Sequence, residues 1–124
     1  MSLQIAIRQY GDVTILDLRG RSTVSDGESE SLRGRLQSLL DGGVGKLLLD
    51  LTNLSQVDSS GLSVIATTYV SLTREGGCLG FLRPRGRVRE VLSVLHLLEV
   101  VPCFENEAEA VASLRARCSI AKHA

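Results

Sequence analysis

The hydrophobic pattern near the N-terminus is that of extended chain. Residues 3–10 alternate between apolar and polar positions, Gly11 and Asp12 form a turn signal, and residues 13–20 are extended again. Strict alternation is typical of a half-buried strand, and a glycine-containing pair between two such segments indicates a hairpin. We therefore predict a β-hairpin over residues 3–20.

Four later segments space their apolar residues as the buried face of a helix does. Glycine pairs at 42–43 and 76–77 end the first two, because glycine readily adopts the left-handed conformation that closes a helix. Short apolar runs at 46–51, 78–82 and 100–104 lie between the helical segments and predict strands. The helical segments are marked by Leu32, Leu36, Leu39 and Leu40 after Glu28; by Leu62, Ile65, Ala66, Tyr69 and Leu72; by Val88, Val91, Leu92 and Leu95; and by Ala108, Val111 and Ala112.

The run "KLLLDL" at 46–51 is the most apolar of the predicted strands, which indicates a central position with both faces covered. The full order of elements is ββαβαβαβα. Strands that alternate with helices form a largely parallel sheet with crossover helices. With 124 residues the chain has the length of one domain. We therefore predict a single α/β domain over residues 1–124, with a mixed, mostly parallel sheet.

Composition and charge argue against several classes of function. Basic and acidic residues number 14 each, so the formal net charge is zero and does not indicate a nucleic-acid partner. Aromatic residues make up 3% of the chain, whereas proteins that bind single strands stack bases on aromatic rings. No segment has the roughly 20 apolar residues that cross a bilayer, and no signal peptide is visible. We expect a cytoplasmic protein without a membrane or nucleic-acid partner.

The cysteines and histidines lack the spacing of a metal site. Cys78, Cys103 and Cys118 are far apart, without a C-x-x-C pair or a nearby histidine, which also disfavours a disulfide framework. Buried free thiols are the expected state. His96, in an apolar helical stretch, and His123 have no acidic residue directly beside them to orient a catalytic base. No metal, cofactor or catalytic residue is predicted.

The stretch "GGVGKL" at 42–47 is similar to the end of a phosphate-binding loop. It has Leu40 and Leu47 where that loop needs a glycine and a serine or threonine. It also leads from a helix into a strand, whereas the loop must lead into a helix whose N–H groups face the phosphate. A tight helix-to-strand turn is therefore predicted.

The basic cluster "RPRGRVRE" contains Arg83, Arg85, Arg87 and Arg89. Arginines that alternate across a Pro-Gly loop and a helix start usually form a solvated face. A surface for an anionic ligand or a phosphorylated partner is the alternative interpretation.

The serine pair in "VDSSGL", residues 57–62, is the main candidate for a functional site. It follows the most buried strand, at the end where open α/β sheets place their working residues. The pair could supply a nucleophile, a helix cap or a phosphorylation site. A nucleophile is disfavoured because Val57 stands where the hydrolase motif G-x-S-x-G needs its first glycine. Capping by Asp58 or Ser59 fits the pattern and would contribute on the order of 1 kcal/mol.

The stretch "LLLDLTNLSQVDSSGLSVI", with the element order and the later "GGCLGFL" and "VREVLSVLHL", resembles the STAS domain family, in particular its bacterial anti-sigma factor antagonists. The likeness extends from the first hairpin to the last helix. It implies a non-catalytic regulator that binds a serine-kinase anti-sigma factor and so frees a sigma factor for transcription. We expect a monomer or weak dimer that needs no cofactor.

The resemblance also implies roles for individual residues. In that family the serine directly after the Asp is phosphorylated, which corresponds to Ser59. Asp58, Ser60, Gly61 and Leu62 then belong to the loop and first helical turn that bind the partner. A phosphatase would reset the switch.

The segment after the second predicted strand departs from the family pattern. Antagonists commonly carry G-x-[LI]-D there, with the acid near the phosphorylation loop, whereas "GRST" places Ser22 and Thr23 at those positions. We assign both to the partner-binding surface, and Asp26 offers an acid in a slightly different register. A STAS scaffold or ligand-sensing module that is not phosphorylated is therefore a second hypothesis, and a serine hydrolase is kept as a check.

Overall fold

The computed structural model describes residues 4–22 and 28–117, which form a five-stranded sheet in the order β1-β2-β3-β4-β5. β1 is antiparallel to β2, and every other neighbouring pair is parallel. The strands are β1 (Gln4–Tyr10), β2 (Val13–Ser22), β3 (Lys46–Val57), β4 (Cys78–Leu82) and β5 (Cys103–Phe104). The helices are α1 (Glu28–Asp41), α2 (Ser59–Arg74), α3 (Gly86–Val94), α4 (Leu97–Val100) and α5 (Glu107–Arg117).

The predicted fold class is confirmed, with one added element. The hairpin, the three parallel strands and four helices occur where the hydrophobic pattern placed them, and "GGVGKL" is a helix-to-strand turn. The addition is the single turn α4. It arises because His96 adopts a left-handed backbone conformation with φ +61°, which separates α4 from α3 although the apolar spacing continues across it.

The sheet separates two hydrophobic clusters. The larger cluster joins one face of the sheet to α1, α2 and α3, and the smaller joins the other face to α5. Leu47, Leu49 and Leu51 of β3 lie in the larger cluster and Leu48 in the smaller, all at 0% exposure. β3 is therefore covered on both faces, as its apolar sequence predicts. None of the described helices is long and apolar enough to span a bilayer.

β3 is six residues longer at its C-terminal end than the apolar run indicates, because it continues from Leu51 to Val57. Its register with β2 shifts twice, and at each shift β3 contains one extra residue. Bulges of this kind bend and twist a strand. They also change the burial period, so that Leu51, Leu54 and Val57 are buried at a spacing of three instead of two. The strand thereby reaches directly to the serine pair.

Gly77, in the α2–β4 loop, lies against the backbone of Gly45 in the α1–β3 loop. A Cβ atom at this position would collide with the carbonyl oxygen of Gly45, which only backbone movement could relieve. We expect Gly77→Ala to lower the free energy of unfolding by about 1–3 kcal/mol, the usual cost of overpacking. Gly34, on the exposed side of α1, is the matched control because a Cβ there meets nothing within 4 Å. Gly34→Ala should stabilise the protein by about 0.5–1 kcal/mol. Urea titration measures both effects, and equal stabilities for the two variants would contradict this packing.

Candidate functional site

The serine pair lies at the junction between β3 and α2. Asp58 has an extended backbone (φ −103°, ψ −174°), and α2 begins at Ser59. Asp58 Oδ1 accepts a hydrogen bond from the N–H of Gly61 at 3.1 Å. Asp58 is therefore the N-cap, which decides between the two capping residues that the sequence allows.

The residues of this junction differ in exposure. Ser59 is exposed, and Asp58 and Ser60 are half-buried. Gly61 and Leu62 are buried, and the Leu62 side chain, at 4% exposure, packs in the larger hydrophobic cluster. Gly61 and Leu62 thus hold the start of the helix in place, while Ser59 is the most accessible of the five residues.

The first turn of α2 is suited to a negative charge. Its Gly61 and Leu62 N–H groups are used by the side chain and the carbonyl of Asp58. The N–H groups of Ser59 and Ser60 precede the first intrahelical hydrogen bond, and the turn contains no acidic residue. The positive end of the helix dipole adds to this preference. A phosphate on Ser59 would therefore be tolerated by the helix.

The end of β2 lies beside the same junction. Ser22 pairs with Val57 across the parallel β2–β3 ladder, so its backbone neighbours the residue before Asp58. The structure thus brings together Ser22 and Ser59, two residues that the sequence analysis assigned to one surface. Thr23 and Asp26 lie outside the described residues.

An ionic network on the α5 face of the sheet surrounds the buried Asp50 and was not predicted from the sequence. Asp50, at 5% exposure, accepts hydrogen bonds from Arg8 Nη2 at 3.1 Å and from the N–H and hydroxyl of Thr52 at 3.1 and 2.7 Å. Arg8 Nη1 also donates to the two carboxylate oxygens of Glu107 at 2.8 and 2.9 Å. Burial acts to lower the pKa of Arg8, but its hydrogen bond to Glu107 and the nearby carboxylates outweigh burial and raise the pKa. The one available signal was Asp50 itself, a lone charge inside an apolar run.

Arg83 differs from the other arginines of the basic cluster. It has a left-handed backbone (φ +48°), and its side chain donates to Thr52 Oγ1 and to the Glu105 carbonyl, both at 2.9 Å. It therefore connects β4 to β3 and to the segment before α5. Arg85, Arg87 and Arg89 are exposed.

The remaining cysteines and histidines are peripheral to the junction. Cys103 is free as expected, and its partial burial raises its thiol pKa, whereas Cys78 is disulfide-bonded and corrects the expectation of free thiols. His96 is an exposed residue before α4, and its Nδ1 lies 2.9 Å from Glu99 Oε2. Cys118 and His123 lie outside the described residues. Among the residues that are described, no group of three or more His, Cys, Asp or Glu could hold a metal ion.

Comparison with known protein families identifies the family to which this fold and junction belong. Residues 4–110 match the family model described as the STAS domain. The chain belongs to the STAS domain family. The match extends from β1 into α5 and includes the Asp58–Ser59 junction.

Relatives of this STAS chain are named as anti-sigma factor antagonists. The anti-sigma F factor antagonist of Paenibacillus polymyxa is 28% identical over 115 residues, which are 92% of this chain and 97% of that protein. The crystal structure of an anti-sigma factor antagonist from Mycobacterium paratuberculosis has a TM-score of 0.80 at 21% identity, covering 92% of this chain and 95% of that one. The phosphorylated form of the Bacillus cell fate determinant SpoIIAA has a TM-score of 0.72 at 21% identity, with coverages of 92% and 100%. At these identities the two structures show that the STAS fold is shared.

Proposed function

We propose that this STAS chain is an anti-sigma factor antagonist that binds an anti-sigma factor of the serine-kinase type and is released when Ser59 is phosphorylated. The observation that supports this most directly is an exposed Ser59 at the first position of a helix capped by Asp58. The names of the relatives support the antagonist role, and the phosphorylated SpoIIAA structure supports a phosphorylation switch on this fold. In this proposal the chain acts by binding and not by catalysis.

The switch follows from the different surroundings of Ser59 in the free and the bound protein. Phosphorylation adds about −1.5 to −2 charges at pH 7, next to the carboxylate of Asp58. In the free protein this charge lies at the helix N-terminus and remains hydrated, because Ser59 is exposed. A partner surface that covers Ser59 would remove the water without offering a cation. The fold therefore persists after phosphorylation while the complex dissociates.

Incubation of the chain with its cognate serine-kinase anti-sigma factor, ATP and Mg²⁺ tests the proposal. We expect mass spectrometry to find one phosphoryl group, located on Ser59, and a phosphatase to remove it. Ser59→Ala should remain unmodified because the neighbouring Ser60 is half-buried. Modification of Ser60 in place of Ser59 would contradict the assigned site.

A second candidate is a STAS interaction module that is not phosphorylated. It is favoured by the segment "GRST", in which Ser22 and Thr23 occupy the positions of the family's apolar residue and acid. The same incubation distinguishes the two functions. Stable binding to a partner without phosphoryl transfer would favour the module.

A further inference from the structure

A groove runs along the side of α5 that faces β1, and it has a volume of about 700 Å³. Small-molecule sites usually measure about 300–1,000 Å³. α5 packs against β2, β3, β4 and β5, while Tyr10 on β1 remains 48% exposed. We call this cavity the α5 groove; its lining includes Tyr10, Arg83, Glu107, Val111, Ala112 and Arg115.

The middle of the α5 groove is apolar. Glu107, Val111 and Arg115 are spaced four residues apart, so they lie on one face of the helix. Ala112 and the ring of Tyr10 add further apolar surface to the lining. The two charged residues of α5 are at the ends, because Arg115 is about 12 Å along the helix from Glu107. The α5 groove therefore suits a ligand with an apolar body of about that length.

Both charged residues of α5 in this lining are compensated by residues of the hairpin. Arg8 Nη1 donates to the two carboxylate oxygens of Glu107 at 2.8 and 2.9 Å. Arg115 Nε lies 3.3 Å from Asp12 Oδ1. Glu107 therefore does not repel an anion as an unpaired carboxylate would, and Arg115 already has a counter-ion.

Arg83, at the Glu107 end of the α5 groove, lacks such compensation. Its side chain is half-buried, and its hydrogen bonds run from Nε and Nη1 to neutral oxygens, the Thr52 hydroxyl and the Glu105 carbonyl. Within the described residues it forms no ion pair. Cations removed from water are normally paired with an anion. Arg83 is therefore a cation that is held in a fixed orientation without a counter-ion.

The backbone of Arg83 is also strained. Its φ of +48° lies in the left-handed region, which is uncommon for a residue other than glycine. Pro84 follows directly and restricts the conformation of Arg83 further. Residues held in such conformations occur preferentially at ligand and active sites. The strain is therefore consistent with a binding role for this arginine.

We propose that the α5 groove binds a small amphipathic carboxylic acid, with its carboxylate at Arg83 and its apolar part along Val111, Ala112 and Tyr10. One uncompensated cation suits a monoanion, and the planar guanidinium matches the geometry of a carboxylate. α5 covers one face of the sheet, whereas Ser59 begins α2 on the other face. The inference therefore goes beyond the proposed function and does not depend on the anti-sigma factor.

Calorimetric titration of the purified protein with octanoate and with octanamide tests the role of Arg83. The two probes have the same chain, but only octanoate is charged. The wild type should bind octanoate about tenfold more tightly, as expected for a charge-assisted hydrogen bond. Arg83→Gln should lose this preference by weakening octanoate alone. Arg85→Gln is the matched control, since Arg85 is an exposed arginine of the same basic cluster outside the lining.

Filling the α5 groove tests its location without disturbing the hydrogen bonds of Arg83. Ala112→Phe should weaken both probes at least tenfold, because the larger side chain occupies the apolar middle. Ala116→Phe, at an exposed position of the same helix outside the lining, should bind both probes normally. This comparison and the wild-type titrations remain decisive if Arg83→Gln does not fold.

Three results would overturn the proposal. The first is that the wild type does not bind octanoate, and the second is that it binds octanoate and octanamide equally. The third is that folded Arg83→Gln keeps the preference for octanoate, or that folded Ala112→Phe binds both probes as the wild type does. An Arg83 with a purely structural role would change the affinities for octanoate and octanamide by the same factor.

Discussion

Ser59→Asp is expected to bind the anti-sigma factor about a hundredfold more weakly than the wild type, while Ser59→Ala binds normally. A charge that loses its water beneath a partner, without gaining a cation, costs several kcal/mol. If that cost is about 3 kcal/mol, affinity falls by about two decades at 1.4 kcal/mol per decade. Alanine removes the hydroxyl without adding charge, so it separates the effect of charge from that of the lost side chain.

The same substitution should leave the folded state intact. Ser59 is exposed at the first position of α2, in a turn without acidic residues. An aspartate near a helix N-terminus typically stabilises by about 0.3–1 kcal/mol. Urea unfolding of Ser59→Asp should therefore give a stability equal to or slightly above that of the wild type. This result would show that weaker binding is not a consequence of unfolding.

Ser38→Asp is the control for a general effect of added negative charge. Ser38 is exposed near the end of α1, which leads into the start of β3, whereas Ser59 follows the end of β3. It should bind the anti-sigma factor as the wild type does. Comparable affinities for Ser59→Asp and Ser59→Ala would contradict the charge mechanism.

The helices and the buried part of the sheet were predictable because their signals are local. The run at 46–51 has too many consecutive apolar residues for an edge strand. The glycine pairs at 42–43 and 76–77 end helices through their own backbone conformation, which does not depend on tertiary contacts. The position of Ser59 after a buried strand was predictable for the same reason.

The features that were missed depend on partners distant in sequence. The extension of β3 to Val57 requires two bulges against β2, which replace the alternating burial that identifies a strand. Arg8 and Asp50 are 42 residues apart in sequence, and Arg8 and Glu107 are 99 apart. No local sequence spacing could therefore predict their ionic network. The choice of Asp58 over Ser59 as N-cap depends on a backbone angle that both residues can adopt. Each of these outcomes is decided by tertiary pairing and not by propensity.

Asp50→Ala is expected to lower the free energy of unfolding by about 3 kcal/mol, the largest stability effect that we predict. Asp50 is buried and accepts hydrogen bonds from Arg8 and from both the N–H and the hydroxyl of Thr52. Removing the carboxylate takes an acceptor from the partly buried N–H of Thr52, at a cost of about 1–3 kcal/mol, and weakens the pairing of a partly buried cation. Arg8 still pairs with Glu107 after the substitution. The expected loss of stability is therefore near the lower end of the range for removing one partner of a buried ion pair.

Urea unfolding of Asp50→Ala, Arg8→Ala and the double variant measures this network. The two losses should not add, because the residues are in contact, and a coupling of about 0.5–3 kcal/mol is usual for such pairs. Asp41→Ala, an exposed aspartate on α1, is the control and should change stability by about 0.5 kcal/mol or less. A loss for Asp50→Ala as small as that of the control would show that the network does not stabilise the fold.

Asp50→Asn separates the role of this network in folding from any role in binding. The amide oxygen can still accept from Thr52 while the charge facing Arg8 is lost, so its destabilisation should be smaller than that of Asp50→Ala. Asp50 lies on the α5 face of the sheet, whereas Ser59 begins α2, which packs on the other face. At a temperature where the variant is folded, Asp50→Asn should therefore bind the anti-sigma factor as tightly as the wild type. Weaker binding by this folded variant would mean that β3 transmits the state of the network to Ser59.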